Sequence, residues 1–190
     1  VYDDFTFTSF VELGGEWKER CVIVNGVSKA YSMTGWRIGY AAAPVELIKA
    51  MGKIQGHSTS NANSIAQRAA TAALTGPHDE VERMRQAFAQ RRDRMLAAMR
   101  QIPGVECTRP RGAFYLFPRW KSFLGKRAGG QTLATCVDLA NYLLEEAHVA
   151  VVPGVGFGTE GGYLRFSYAS GTDRILEGMR RVQKAVAAIR

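Results

Sequence analysis

Apolar residues return at two different periods along this chain. From His78 to Gln101, Val81, Met84, Phe88, Met95 and Met99 recur at three-, four- and seven-residue intervals, the repeat of an amphipathic helix, which "IPG" then stops. Shorter helices are predicted in "PVELIKAMGKI", where Pro44 suits a helix start, and over Ile65–Leu74 after the polar "QGHSTSNANS" connection. "TLATCVDLANYLLEEA" is expected to bury a stripe of Leu133, Val137, Ala140, Leu144 and Ala147. The last helix is expected to start with Thr172 as N-cap and to bury Ile175, Met179, Val182, Val186 and Ile189. Between these segments, "CVIVN", "IGYAAA", "GAFYLFP", "VAVVP" and "YLRFSYA" are short, β-branched, aromatic or small apolar runs that fit strands. Mixed strands and helices without an internal repeat predict an α/β or α+β chain. Two regions are expected, residues 1–76 and 102–190, joined by a long helix over 77–101.

In the first region, "CVIVN" and "IGYAAA" have the composition of strands buried on two faces. The connection between them, "GVSKAYSMTGWR", carries Lys29 and Arg37 eight positions apart among Ser28, Tyr31, Ser32, Thr34 and Trp36. Loops at strand ends often carry function. Cations set among hydroxyls and aromatic walls suit a phosphorylated ring, although a Lys and an Arg beside a turn are more often ordinary solvated charges.

Composition narrows the classes. Of the 190 residues 46% are apolar, enough for a globular core, and no apolar run approaches the roughly 20 residues that span a bilayer. "VYDDFTF" lacks the layout of a signal peptide, so a cytoplasmic protein is expected. Three widely spaced cysteines, without a CxxC pair, suggest neither a disulfide framework nor a zinc site. The net charge of +8 raises the question of nucleic acid, but Arg83, Arg85, Arg91, Arg92, Arg94 and Arg100 are scattered around one helix and partly balanced by Glu80, Glu82 and Asp93. They are expected to form a solvated helix surface, and no nucleic-acid partner is expected.

In the second region, alternation along "YLRFSYA" puts Leu164, Phe166 and Tyr168 on one face and Tyr163, Arg165 and Ser167 on the other. Arg165 then points into a polar space, either for a surface ion pair or for a carboxylate that matches its planar fork. The glycine-rich "PGVGFGTEGG" lacks both the GxGxxG spacing and the P-loop lysine of a nucleotide site.

Taken in order, "NGVSKAYSMTGWRIGYAAAP", "GAFYLFP", "VVPGVGFG" and "YLRFSYAS" resemble the C-terminal half of a class I/II aminotransferase of pyridoxal phosphate (PLP) fold type I, in the bacterial aspartate aminotransferase-like branch. The resemblance covers essentially the whole chain, and the SK-x-[YF]-x-[ML]-x-G-x-R-x-G pattern is its most specific part. It implies an α/β fold, with residues 1–76 as the C-terminal part of the cofactor-binding large domain and 102–190 as the small α+β domain. It further implies pyridoxal 5'-phosphate as cofactor, held covalently by Lys29, with Arg37 and Ser28 on its phosphate and Tyr2 on its phenolic oxygen. Arg165 would grip the substrate α-carboxylate. No metal is implied. The implied reaction is transamination of an amino acid, aspartate first, with 2-oxoglutarate, in a homodimer.

Two departures accompany the resemblance. Gly26 stands where the family often has a phosphate-binding serine, with Asn25 and Ser28 as substitutes, and the family's N-terminal half has no counterpart. The chain is therefore expected to be a fragment, inactive alone. Two other readings share Lys29, Arg37 and Arg165: a β-lyase or aminocyclopropane-carboxylate synthase-like enzyme, and the aminotransferase-like effector domain of a transcriptional regulator.

Overall fold

The computed structural model describes residues 1–190, apart from the side chains of residues 17 and 18. The chain divides into two compact units, one formed by Thr6–Met84 and the other by Val1–Phe5 together with Arg85–Arg190.

In the first unit, a single helical turn α1 (Trp17–Arg20) precedes two antiparallel strands, β1 (Ile23–Gly26) and β2 (Gly39–Ala42). Their register sets Ile23 opposite Ala42 and Gly26 opposite Gly39. The sequence pattern predicts burial on both faces, and the structure differs: Val24 is 77% exposed and Tyr40 is exposed too. Two strands alone cannot bury both of their faces, and among the described residues no third strand joins this sheet. Helix α2 (Val45–Ser58) begins directly after Pro44 and runs into the first four residues of the segment expected as "QGHSTSNANS" connection. Helix α3 (Ser64–Thr75) starts where the Asn63 side chain accepts the Ala66 N–H at 3.0 Å. The small core lies between the β1–β2 connection and α3: Val27, Met33 and Ile38 pack with Ala66 and Ala70.

Helix α4 (Asp79–Arg100) passes from one unit into the other between Met84 and Arg85. The second unit is built on a three-stranded antiparallel sheet in which β7 (Leu164–Ser167) lies between β3 (Tyr115–Leu116) and β6 (Val152–Pro153). A separate two-stranded ribbon pairs β4 (Arg127–Ala128) with β5 (Gln131–Thr132). Helices α5 (Cys136–Ala147) and α6 (Thr172–Val186) complete the unit. Leu164, Phe166 and Tyr168 are all buried, as alternation predicts, and join a core with Met95 and Met99 of α4 and with Met179 and Val182 of α6.

Helix α6 buries Ile175, Met179, Val182 and Val186 as expected, Ile189 is buried just past its end, and its N-cap is Gly171, with Thr172 the first residue inside. Helix α5 corrects the expected stripe. Its buried side is Cys136, Leu139, Ala140, Leu143 and Ala147, whereas Val137 and Leu144 are 40% and 51% exposed. Leu133 is fully buried but lies ahead of the helix, whose N-cap is Thr135 in a reciprocal capping box with Asp138. A stripe counted from Leu133 therefore starts out of phase.

Arg92 is a second correction. It is not part of a solvated surface but wholly buried, with Nη1 and Nη2 donating to the Asp3 carboxylate at 2.9 and 3.0 Å and Nε to Asp93 at 2.9 Å. Nη1 also donates to the Pro110 carbonyl at 3.1 Å, and the guanidinium carbon lies 4.8 Å from the centre of the Tyr2 ring. This cluster, extended by Arg109, fastens residues 1–5 to α4.

Because Asp3 and Asp93 are 46% and 47% exposed, Arg92→Ala is expected to cost about 2–4 kcal/mol, less than the loss of a partner in a fully buried pair. Urea unfolding followed by circular dichroism measures it. Hydrogen bonding to Arg92, with Arg109 adding to it, holds the Asp3 carboxyl below its ordinary value. Its contribution is present above the ordinary carboxylate range and disappears as pH falls through the lowered value. Stability of the wild-type chain should therefore drop below about pH 4 more steeply than that of Asp3→Asn; parallel curves would exclude the coupling.

Candidate functional site

Lys29 and Arg37 are held on one short connection whose shape is set by local hydrogen bonds. The Tyr31 N–H donates to the Val27 carbonyl at 3.3 Å and the Ser32 N–H to the Lys29 carbonyl at 3.2 Å, so Lys29 sits within a tight turn directly after β1. A short 3-10 helix follows over Thr34–Trp36, and Arg37 ends it in the left-handed region at φ 55°. That conformation is uncommon for a residue with a Cβ and costs on the order of 1–2 kcal/mol. It is stabilised by the Arg37 Nη1 donating to the Thr34 carbonyl at 3.0 Å.

Ser28 is half-buried, and Lys29 and Arg37 are exposed. The connection carries a hydroxyl, an amine and a guanidinium within residues 28–37. Arg37 also borders an open concavity of about 840 Å³, whose polar lining includes Gln55, Thr59, Asn61 and Asn63. The donor set fits a phosphorylated aldehyde cofactor in chemical kind: one amine for the carbonyl carbon, and a guanidinium with hydroxyl and amide groups for a phosphate. Gly26 cannot readily be the serine that the family often has there, because a Cβ would come within 3.1 Å of the Ile38 carbonyl across the ribbon.

In the second unit, Arg165 lies on the central strand β7, half-buried, with its guanidinium carbon 4.4 Å from the centre of the Tyr115 ring and 4.7 Å from that of Phe157. Among the described residues its guanidinium has no hydrogen bond or ion pair. Tyr115 stands opposite Ser167 on β3, and Phe157 ends the 3-10 turn Gly154–Phe157 that follows β6. Neither aromatic was singled out by sequence pattern. The cross-strand neighbourhood of Tyr115 with Ser167, on the same face as Arg165, is the signal that would have found one of them.

Tyr2 belongs to the packing of this unit. Its side chain is buried, its hydroxyl donates to the Ala113 carbonyl, and Tyr168 donates to the same oxygen at 3.3 Å. Burial pushes the pKa of both phenols up. Within this chain the Tyr2 hydroxyl is therefore held by a backbone carbonyl.

A family profile described as aminotransferase class I and II matches residues 1–181. The chain belongs to this family. It is 47% identical over 193 residues to an aspartate aminotransferase of Geobacillus stearothermophilus, aligning 99% of this chain with 48% of that protein. It is 46% identical over 190 residues to an aspartate/prephenate aminotransferase of Cereibacter sphaeroides, aligning 100% of this chain with 47% of the other. The crystal structure of the aspartate aminotransferase from Rhizobium meliloti superposes with a TM-score of 0.96 at 44% identity, over 100% of this chain and 48% of that one. The fold is thus the α/β fold of the class I/II aminotransferases, PLP fold type I. The chain spans about half the length of the curated relatives it matches.

In this aminotransferase-family chain, the glycine-rich loop after β6 is a packing device rather than a nucleotide fingerprint. A Cβ at Gly154 would meet Thr159 Oγ1 and Tyr163 Cβ at 2.7 Å and the Tyr163 carbonyl at 2.8 Å, while the Gly154 N–H donates to that carbonyl at 2.7 Å. At Gly156 a Cβ would meet nothing within 4 Å. Gly154→Ala is therefore expected to lower stability by about 1–3 kcal/mol and to displace the loop that carries Phe157. Gly156→Ala should stay within about 0.5 kcal/mol of wild type. Equal urea midpoints for the two variants would contradict the close packing.

Proposed function

We propose that this chain carries the cofactor-anchoring and carboxylate-gripping residues of a pyridoxal phosphate-dependent aminotransferase that transfers the amino group of an amino acid, aspartate first, to 2-oxoglutarate. The observation that carries the reading is Arg165, a half-buried guanidinium lying over two aromatic rings with no anionic partner among the described residues. Such a cation suits an anion brought from outside, and its planar fork matches a carboxylate through two parallel N–H donors.

In this reading Lys29 holds the cofactor through its amine, and Arg37 with Ser28 holds the phosphate. When bound, the cofactor supplies the electron sink that makes a substrate Cα–H acidic. The freed Lys29 amine would take up the Cα proton as general base and, as the ammonium, would deliver it as general acid to the cofactor carbon that was the aldehyde carbon, the shift that amino transfer requires. Arg165 fixes the α-carboxylate and so orients the Cα–H for that transfer. Amino-acid and 2-oxo-acid substrates and a homodimeric whole enzyme complete the proposal. The name of the Cereibacter relative makes prephenate a second acceptor to assay beside 2-oxoglutarate.

Borohydride reduction of the chain in the presence of pyridoxal phosphate, followed by peptide mapping, tests the anchor: the label is expected on Lys29, and label on Lys49 or Lys53 instead overturns the assignment. Catalysis by groups held together to a fraction of an ångström requires the whole constellation. The 190-residue chain by itself is therefore expected to show no measurable aspartate–2-oxoglutarate transamination; robust turnover would show that the chain alone completes the site.

A further inference from the structure

An arginine that is to receive a carboxylate must be held still without its N–H groups being occupied. Proteins commonly fix an arginine with an acidic neighbour, as Asp3 and Asp93 fix Arg92. At Arg165 that solution would put a competing carboxylate on the donors meant for the ligand. The structure uses aromatic faces instead. A planar guanidinium over a ring is attracted through its face, and its donors, which lie in its plane, stay available.

The two rings reach Arg165 from opposite flanks of the central strand, Tyr115 from β3 on one side and Phe157 from the turn after β6 on the other. Phe157 is 46% exposed, yet it is braced: its ring meets Phe117 edge-on at 5.8 Å, and Phe117 stacks on Tyr163 at 5.1 Å. The Gly154 N–H bond to the Tyr163 carbonyl anchors the same loop to the residue two positions before Arg165.

We propose that Tyr115 and Phe157 are positioning residues that hold the Arg165 guanidinium with its N–H edge available to a substrate carboxylate. The proposal rests on the reading of Arg165 as a carboxylate receptor and adds the residues that make it one. The π faces do this work, so an aliphatic side chain of similar size does not replace Phe157, whereas another aromatic does. The tyrosine hydroxyl at 115 is not required.

The test is nitrogen-15 NMR of the arginine Nε–H groups in the 190-residue chain, with the Arg165 resonance assigned by its loss in Arg165→Lys and with succinate as the dicarboxylate probe. In wild type the resonance should be displaced by the ring currents of the two aromatics and should move saturably as succinate is added. Phe157→Leu and Tyr115→Leu should lose that displacement and bind succinate at least tenfold more weakly. Phe157→Tyr and Tyr115→Phe should bind within twofold of wild type. Because Phe157 lies outside the hydrophobic core, its replacement leaves that core intact and decides the matter even if the Tyr115→Leu chain fails to fold. If succinate leaves the wild-type Arg165 resonance unmoved, the carboxylate reading falls and the proposal with it. If wild type responds and Phe157→Leu binds equally well, the carboxylate reading stands and the positioning role is overturned.

Discussion

The alternation of side chains along β7 is the constraint on which the second unit depends. A strand paired on both sides has no freedom to turn about its axis, so Leu164, Phe166 and Tyr168 must all enter the core if one of them does. Arg165 is then forced onto the opposite face. The same pairing fixes what stands beside it, because the registers of β3 and β6 set Tyr115 near it on one flank and Val152 opposite it on the other. A shift of one residue would bury the guanidinium and expose two aromatic rings, which makes the register of β7 expensive to change.

A different economy operates in the first unit. There the β1–β2 connection lies on a helix whose contacting side is made of alanines, Ala66 and Ala70, with Ala69 and Ala73 beside them. Small side chains let a loop backbone approach closely, and the buried anchors Val27, Met33 and Ile38 then alternate with the exposed Lys29 and Arg37. The polar residues of "GVSKAYSMTGWR" face outward because the few apolar ones are used as fixings.

Elements with a strong local repeat were legible in the sequence. Helices α4 and α6 and the two faces of β7 follow from periodicity, and the family follows from the motif around Lys29 and Arg37. What was not legible depends on partners distant in sequence. The burial of Arg92 requires Asp3, 89 positions away, and nothing within the arginine-rich helix distinguishes Arg92 from Arg91 or Arg94. The buried side of α5 depends on where its cap falls, since starting the count at Leu133 rather than at Thr135 rotates the expected stripe onto Val137 and Leu144. Phe157 sits in a glycine-rich loop with no period to mark which way its side chain faces.

The attachment of residues 1–5 to α4 has a consequence for the chain as a connected object. Because Val1–Phe5 and Arg85–Arg190 form one unit, the segment Thr6–Met84 is an insertion that leaves that unit and returns to it. Its two ends are held by the same body, one by the continuous backbone of α4 and the other by the ion pairs of Arg92. A single protease cut inside the insertion therefore leaves the N-terminal piece tied to the second unit through residues 1–5, and the ion pairs of Asp3, which salt weakens, set how firmly the two pieces stay together.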